Sequence, residues 1–215
     1  MSKIYILLVL TFLLNSCNSQ TNGNFIFEKD NSVQKTRQNE ELNGIIYFSF
    51  DNGNNWVNTS SGLPEKVRIG LGGIAVSHQN IAVATKENGI YIYNFKTSHW
   101  ENVPTEKQII EGNIGALAMT DAAIFVGTQF KGVFCSKDSG KTWINLNTGL
   151  SNLTVRRFCE FNRKLYVCTN DGFYSLHKDA SDWQLESGQS SLQVNGATLF
   201  DGNFYLATNK GIFTQ

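Results

Sequence analysis

The sequence predicts an all-β chain built from repeated four-stranded antiparallel sheets. Three observations predict it. Four tryptophans, Trp56, Trp100, Trp143 and Trp183, recur at spacings of 44, 43 and 40 residues. Aromatic residues make up 12% of the 215, while Gly is abundant at 19 and Pro scarce at 2. That is the composition of short strands joined by turns. Beyond the N-terminus no long apolar run of helical period occurs.

The segments between the tryptophans align. Ile81–Thr85 leads to Gly89–Tyr93, Ile124–Thr128 to Gly132–Ser136, Leu165–Thr169 to Gly172–Ser175, and Phe204–Thr208 to Gly211–Phe213. Gly and Trp are 11 residues apart in each complete copy. The Gly stands where a hairpin needs positive φ or a close backbone approach. Another strand precedes each pair: Gly73–Val76, Gly115–Met119, Arg157–Glu160 and Gly196–Phe200. Tight polar turns such as His78–Asn80, Asn162–Lys164 and Asp201–Asn203 make the connection. The Trp-bearing segment supplies a fourth strand. Four antiparallel strands in each repeat is the blade of a β-propeller. Residues 42–215 therefore read as about four blades, in a small closed ring or an incomplete propeller. The first blade begins at its third strand, Gly44 to Phe50, and the last ends at a third strand, Ile212–Gln215.

Two turns carry a sharper pattern. Ser49-x-Asp51-x-Gly53-x-x-Trp56 and Ser136-x-Asp138-x-Gly140-x-Thr142-Trp143 share Ser-x-Asp-x-Gly-x-x-Trp, 87 residues apart. This pattern resembles the Asp-box, or BNR repeat, of sialidases, sortilin-type receptors and photosystem-assembly-factor-like propellers. The resemblance implies that Asp51 and Asp138 accept backbone N–H groups, that Gly53 and Gly140 take positive φ, and that the Trp packs between blades. Trp100 and Trp183 remain as blade markers in copies whose boxes have decayed. Gly62-Leu63 and Gly149-Leu150, which follow the two intact boxes, are also usual in such repeats. The box identifies a scaffold and lies away from any central site.

The N-terminus differs in kind. Lys3 precedes an apolar run, Ile4 to Leu14, broken only by Thr11. That is too short to span a bilayer and suits the core of an export signal. Leu14-Asn15-Ser16-Cys17 resembles the lipobox of bacterial lipoproteins. The resemblance implies cleavage of a signal peptide, residues 1–16, and lipidation of Cys17, which would hold the protein on a bacterial membrane, the outer membrane foremost. The alternative is an ordinary secretory signal with an incidental Cys. Residues 17–41 read as a polar tether, with a short strand conceivable at Phe25–Phe27.

The whole chain has 18 Lys+Arg against 18 Asp+Glu. Such balance gives no electrostatic case for nucleic acid. The three histidines, His78, His99 and His177, lie in different repeats without ligand spacing, so no metal or other cofactor is implied. Cys159 and Cys168 read as facing each other across the Asn162–Lys164 turn, where a disulfide is conceivable. Their columns elsewhere hold Ala75 and Ala84, Ala118 and Gly127, Thr198 and Ala207, which favours small core residues. Arg156-Arg157 and Arg163-Lys164 form a small basic cluster, read as a solvated strand end with ligand contact as the alternative. Sialidase chemistry needs three arginines gripping a carboxylate with a Tyr/Glu nucleophile pair. After residue 16 the arginines are Arg37, Arg68, Arg156, Arg157 and Arg163, and the Phe-Arg-Ile-Pro motif of that family is absent. No catalytic residue is assigned. The expected function is an envelope-anchored, non-catalytic propeller that binds or scaffolds a protein or glycan partner. The alternatives are a sialidase-type glycoside hydrolase, whole or truncated, and an envelope assembly or stability factor.

Overall fold

A computed structural model describes residues 44–176, 182–188 and 191–214. The expected signal peptide, Cys17 and the tether lie outside the described residues. The chain divides into two compact units between Ser60 and Ser61.

In the first unit, β1 (Tyr47–Phe48) and β2 (Val57–Asn58) form a two-stranded antiparallel hairpin, with Phe48 opposite Val57. The strand is shorter than the expected Gly44–Phe50. Side-chain hydrogen bonds flank it, although the Ile46 carbonyl still accepts from the Thr59 amide. The Ser60 hydroxyl accepts from the amides of Ile45 and Ile46 at 2.7 and 2.9 Å, and Ser49 is committed to the following turn.

The second unit opens with β3 (Ile69–Val76), β4 (Ile81–Thr85), β5 (Gly89–Asn94) and β6 (His99–Val103). After helix α1 (Lys107–Glu111) come β7 (Ile114–Met119), β8 (Ile124–Thr128), β9 (Val133–Ser136) and β10 (Ile144–Asn145). The third sheet is β11 (Val155–Phe161), β12 (Lys164–Thr169), β13 (Gly172–Leu176) and β14 (Trp183–Gly188). The last is β15 (Val194–Phe200), β16 (Asn203–Thr208) and β17 (Gly211–Thr214). Within each sheet the strands pair antiparallel in chain order. These are the strand, turn, strand, Gly turn, strand, Trp strand units read from the repeat.

The first strand of each sheet is the innermost. β3 and β7 meet in a parallel contact at Gly72 and Ala116, which joins their sheets. Glycine makes this approach possible, because a Cβ on Gly70 would sit 2.9 Å from the Gly115 carbonyl oxygen. β11 in turn lies against both β7 and β15. The second strands of the first two sheets are covered on both sides: every residue of β4 and of β8 is buried. That is why their sequences run apolar without alternation.

The core consists of seams between successive sheets. Ile90, Val103 and Ile109 pack with Ile114, Val126, Phe134 and Trp143 in the first. Val133 and Leu146 meet Phe158, Val167 and Trp183 in the second. Tyr166, Cys168 and Phe173 meet Val194 and Leu206 in the third. The short helix α1 was not expected. It places the fully buried Ile109 in the first seam.

The hairpin glycines take both expected forms. Gly89, Gly132 and Gly211 have φ of 81°, 77° and 118°, while Gly172, absent from the positive-φ residues, is a close backbone approach: a Cβ there would lie 3.1 Å from the Ser187 carbonyl oxygen. One expectation is corrected. Cys159 does not face Cys168. The connecting turn is a two-residue one, with Asn162 and Arg163 both at positive φ, so Phe161 pairs with Lys164. Cys159 then stands opposite Tyr166, and Cys168 opposite Arg157.

Candidate functional site

The two Ser-x-Asp-x-Gly-x-x-Trp turns share one hydrogen-bond scheme. In the second, Asp138 Oδ1 accepts from the Thr142 amide at 2.9 Å and from the Ser136 hydroxyl at 2.8 Å. Its Oδ2 accepts from the Thr142 hydroxyl at 2.7 Å. Ser136 Oγ accepts from the Gly140 amide at 2.8 Å. The first turn repeats this, with Asn55 in the place of Thr142 and Asp51, Ser49 and Gly53 in the other roles. Gly53 and Gly140 both have φ of 87°. The Thr142 hydroxyl, then its amide, then Ser136 hold the Asp138 carboxyl down to about 2. Asn55 lowers Asp51 in the same way. Both oxygens of each carboxylate are thus engaged within their own turn.

The tryptophans follow from the seams. Trp143 Nε1 donates to the Pro104 carbonyl at 2.9 Å, and Trp183 Nε1 to the Leu146 carbonyl at 2.8 Å. Each indole thus bonds to the preceding blade, just past that blade's own Trp. Trp56 is different: its Nε1 donates to Gly53 within its own turn, at 3.1 Å. Trp100 is buried. The Gly-Leu pairs act across the same seams. The Ser61 carbonyl accepts from the Trp100 amide, and the Thr148 carbonyl from the Trp183 amide, both at 2.8 Å. Gly62 and Gly149 follow at φ of 93° and 88°, and a Cβ on either would overlap the Trp carbonyl oxygen of the next blade.

One repeated device was present in the sequence but given no role. Thr85, Thr128, Thr169 and Thr208 each end a second strand, and each hydroxyl donates to the carbonyl of the following hairpin Gly at 2.8–3.1 Å. The same oxygens accept from the amides of Asn88, Lys131, Asp171 and Lys210. The signal was a Thr at one position in four copies. These staples hold the loops at the end of the unit where the innermost strands begin.

That end gathers polar side chains from three blades. Asn113 Nδ2 donates to Gln129 Oε1 at 2.7 Å, before β7. Arg156, half-buried on β11, donates from Nη1 to Asn170 Oδ1 at 3.0 Å. With its oxygen turned to the guanidinium, Gln193 accepts from Arg156 Nη1, from Nη2 at 2.6 Å and from Nε at 3.1 Å. Arg157 runs along Gly196, where a Cβ would lie 3.8 Å from its Nη1. Among the described residues no carboxylate pairs with Arg156, so its partners are neutral amides. The nearby carboxylate of Asp171 is committed to hydroxyls of Ser151, Thr169 and Tyr174.

The other arginines lie elsewhere. Arg68 pairs with Glu87, and Arg163 stands in the turn at the far end of β11. At that far end His78 pairs with Asp121 across two blades at 2.9 Å. Beside them lies a cleft of about 120 Å³ lined by Asp121, Ser136, Lys137 and Met119. It falls well short of the roughly 300 Å³ at which small-ligand sites begin. His99 Nδ1 meets Ser61 Oγ at 3.1 Å, and His177 lies outside the described residues.

No known protein family's sequence profile matches the chain, and no curated protein matches it. Solved structures do. The extracellular domain of BT4673 from B. thetaiotaomicron superposes with a TM-score of 0.60 at 17% identity, over 74% of this chain and 22% of that one. YCF48 bound to D1 peptide gives 0.57 at 14%, over 77% and 56%. PorZ, a surface component of the type-IX secretion system of Porphyromonas gingivalis, gives 0.58 at 14%, over 80% and 29%. The fold is a β-propeller. This chain spans well under two thirds of each of these three proteins. At such identities the likeness concerns the propeller scaffold alone.

Proposed function

We propose that the chain is an exported, lipid-anchored, non-catalytic β-propeller that binds a protein partner at the end where its innermost strands begin. One observation carries the reading. Arg156 is held in place by two neutral amides on two blades, so its charge is positioned but not neutralised. A guanidinium so placed favours a carboxylate, which accepts charge-assisted hydrogen bonds in a forked geometry. The preferred partner is therefore a segment bearing Asp, Glu or a free C-terminus.

Supporting arguments come from several sides. Propellers use their central end for recognition. YCF48 was solved with a peptide, and BT4673 and PorZ are named as extracellular or surface proteins. The boxes spend their polar groups on their own turns. Arg68, Arg156 and Arg163 sit at separate places, which speaks against the three-arginine clamp of a sialidase. Anchoring rests on the lipobox-like segment ending at Cys17.

The test is an array of acidic peptides and their Asn/Gln counterparts, probed with the full chain. We expect binding to the acidic set that drops at least tenfold in Arg156→Gln and is unchanged in Arg163→Gln. Equal binding to both peptide sets, or loss only in Arg163→Gln, would overturn the proposed face. Turnover of a fluorogenic sialoside would overturn the non-catalytic reading. Anchoring is read separately, as metabolic labelling with an alkynyl fatty acid that Cys17→Ser abolishes.

A further inference from the structure

The end where the innermost strands begin carries apolar side chains beside its polar ones. Phe130 is 68% exposed and Leu153 39%. Phe130 stands in the loop between β8 and β9, after the Thr128 staple. The corresponding residue is Glu87 in the first blade, and the shorter loops of the third and fourth hold Asn170-Asp171 and Asn209-Lys210. The repeat itself therefore does not call for an aromatic residue there. The loop is held on both sides. The Phe130 amide donates to the Gly112 carbonyl at 3.2 Å, and the Lys131 carbonyl accepts from Asn147 Nδ2 at 2.9 Å. The Gly132 amide donates to the Leu153 carbonyl at 3.0 Å, which ties this loop to the segment leading into Arg156. An exposed ring on a held backbone loses little freedom when a partner covers it.

Phe130 and Arg156 are brought near each other through their chain neighbours. Gln129 Cγ and the Val155 carbonyl oxygen lie 3.9 and 3.8 Å from the position that a Cβ on Gly115 would take. Phe130 follows the one residue and Arg156 the other, so their backbones lie within about 15 Å, the span of four or five extended residues. The same glycine adjoins the Asn113–Gln129 pair. Asn113 Nδ2 bonds to Gln129 Oε1, which leaves Asn113 Oδ1 and Gln129 Nε2 outside that bond. An acceptor and a donor of this kind match the N–H and C=O groups of a peptide backbone.

We infer that the partner segment is an extended peptide with an apolar side chain two or four residues from its carboxylate, the carboxylate on Arg156 and the apolar side chain on Phe130 and Leu153. The inference rests on the acidic-segment reading above and supplies the second half of the recognition. Its spacing follows from strand geometry, because side chains on one face of an extended chain recur every second residue, at roughly 7 and 14 Å. Its division of labour follows from chemistry. The guanidinium fixes place and direction through a forked contact. Covering the ring removes apolar area from water and adds affinity that the charge alone does not provide.

The experiment titrates the full chain into fluorescein-labelled Gly-Ser peptides and reads anisotropy. One peptide carries a single Glu. In the others a Leu is moved through the positions on either side of that Glu. We expect Leu at the second or fourth position to tighten binding about tenfold over Glu alone, and Leu at the first or third to add little. Phe130→Ser should erase that gain and Leu153→Ser reduce it. Arg156→Gln should weaken binding of the Glu-only and the Leu-bearing peptides alike. Phe200→Ser, at an exposed Phe that ends β15, should bind as the wild type does. Leu that adds nothing at any position, or a gain that persists in Phe130→Ser, would overturn the inference and leave the acidic reading standing. Binding that is indifferent to Glu→Gln in the peptide, or absent for every peptide, would overturn the acidic reading and this inference with it.

Discussion

At the scale of single residues, the polar groups of this chain are spent mostly on its own turns. Asp138 is the clearest case. Its carboxyl is held at about 2, against 3.8 for a free Asp, chiefly by the Thr142 hydroxyl and amide. A folded-state value below the unfolded one means that the native chain binds the proton less readily. The stabilisation is then full above about pH 4 to 5 and is lost as pH falls through 3.8 towards 2. Asp138→Asn keeps an acceptor but not the charge. The melting temperatures of wild type and variant should differ at pH 7 and converge by pH 2. A gap that stays constant with pH would show that the carboxylate charge contributes nothing. The staple threonines offer a second test without charge. Thr128 is fully buried and ties the Lys131 amide to the Gly132 carbonyl. Thr128→Val leaves the Lys131 amide without its partner, while the Gly132 carbonyl keeps the Thr128 amide, at a cost of about 1–3 kcal/mol. Thr208 makes the same bonds at a more exposed site, where water can replace them. Thr208→Val should therefore cost less, and urea unfolding midpoints would rank the two.

At the scale of elements, the sequence was most legible where a side chain or a glycine has a local reason. The hairpin glycines, the tight turns and the Trp strands follow from residues within a dozen positions of each other. Less legible was whatever depends on the far side of a seam. The Trp143 and Trp183 indoles bond to backbone carbonyls of Pro104 and Leu146, and any residue type supplies a carbonyl. Arg156 finds one partner 14 residues on, at Asn170, and another at Gln193 beyond the third sheet; no short-range spacing signals either. Helix α1 has only five residues, too few to show a period. The register of β11 against β12 turned on whether two residues or three made the turn, and only the backbone decides that. Gly149 combines a local reason with a distant one. Its φ of 88° alone would cost an alanine about 1–2 kcal/mol. The Trp183 carbonyl then blocks the Cβ itself, and that carbonyl belongs to the next blade. Gly202 has a similar φ of 77° but nothing within 4 Å. Gly149→Ala should therefore destabilise the fold by well over the cost of Gly202→Ala. Equal unfolding midpoints would mean that the inter-blade contact yields without penalty.

At the scale of the whole molecule, stability in the second unit is organised by seams rather than by a central core. The two middle blades, β7–β10 and β11–β14, each contribute residues to the seam before and to the seam after. Such an array behaves as a chain of nearest-neighbour couplings, in which damage is felt first by the two blades that share the damaged seam. Trp183 is the place to measure this. It is buried in the second seam, stacks near Phe158 with ring centroids 6.5 Å apart, and holds the Leu146 carbonyl through Nε1. Trp183→Phe keeps an aromatic ring and removes the donor. The orphaned carbonyl should cost about 1–3 kcal/mol, with the smaller ring adding a packing loss. The distribution of the loss matters more than its size. Hydrogen exchange should accelerate in β8–β10 and β12–β14, which flank the second seam. Strands β4 and β5, on the far side of the first seam, should keep their protection. If protection instead falls equally in all sheets, the blades unfold as one cooperative body and the seams are not its units. If it falls only in β14, the indole bond is a local strand tie and the coupling between blades resides in the aliphatic contacts.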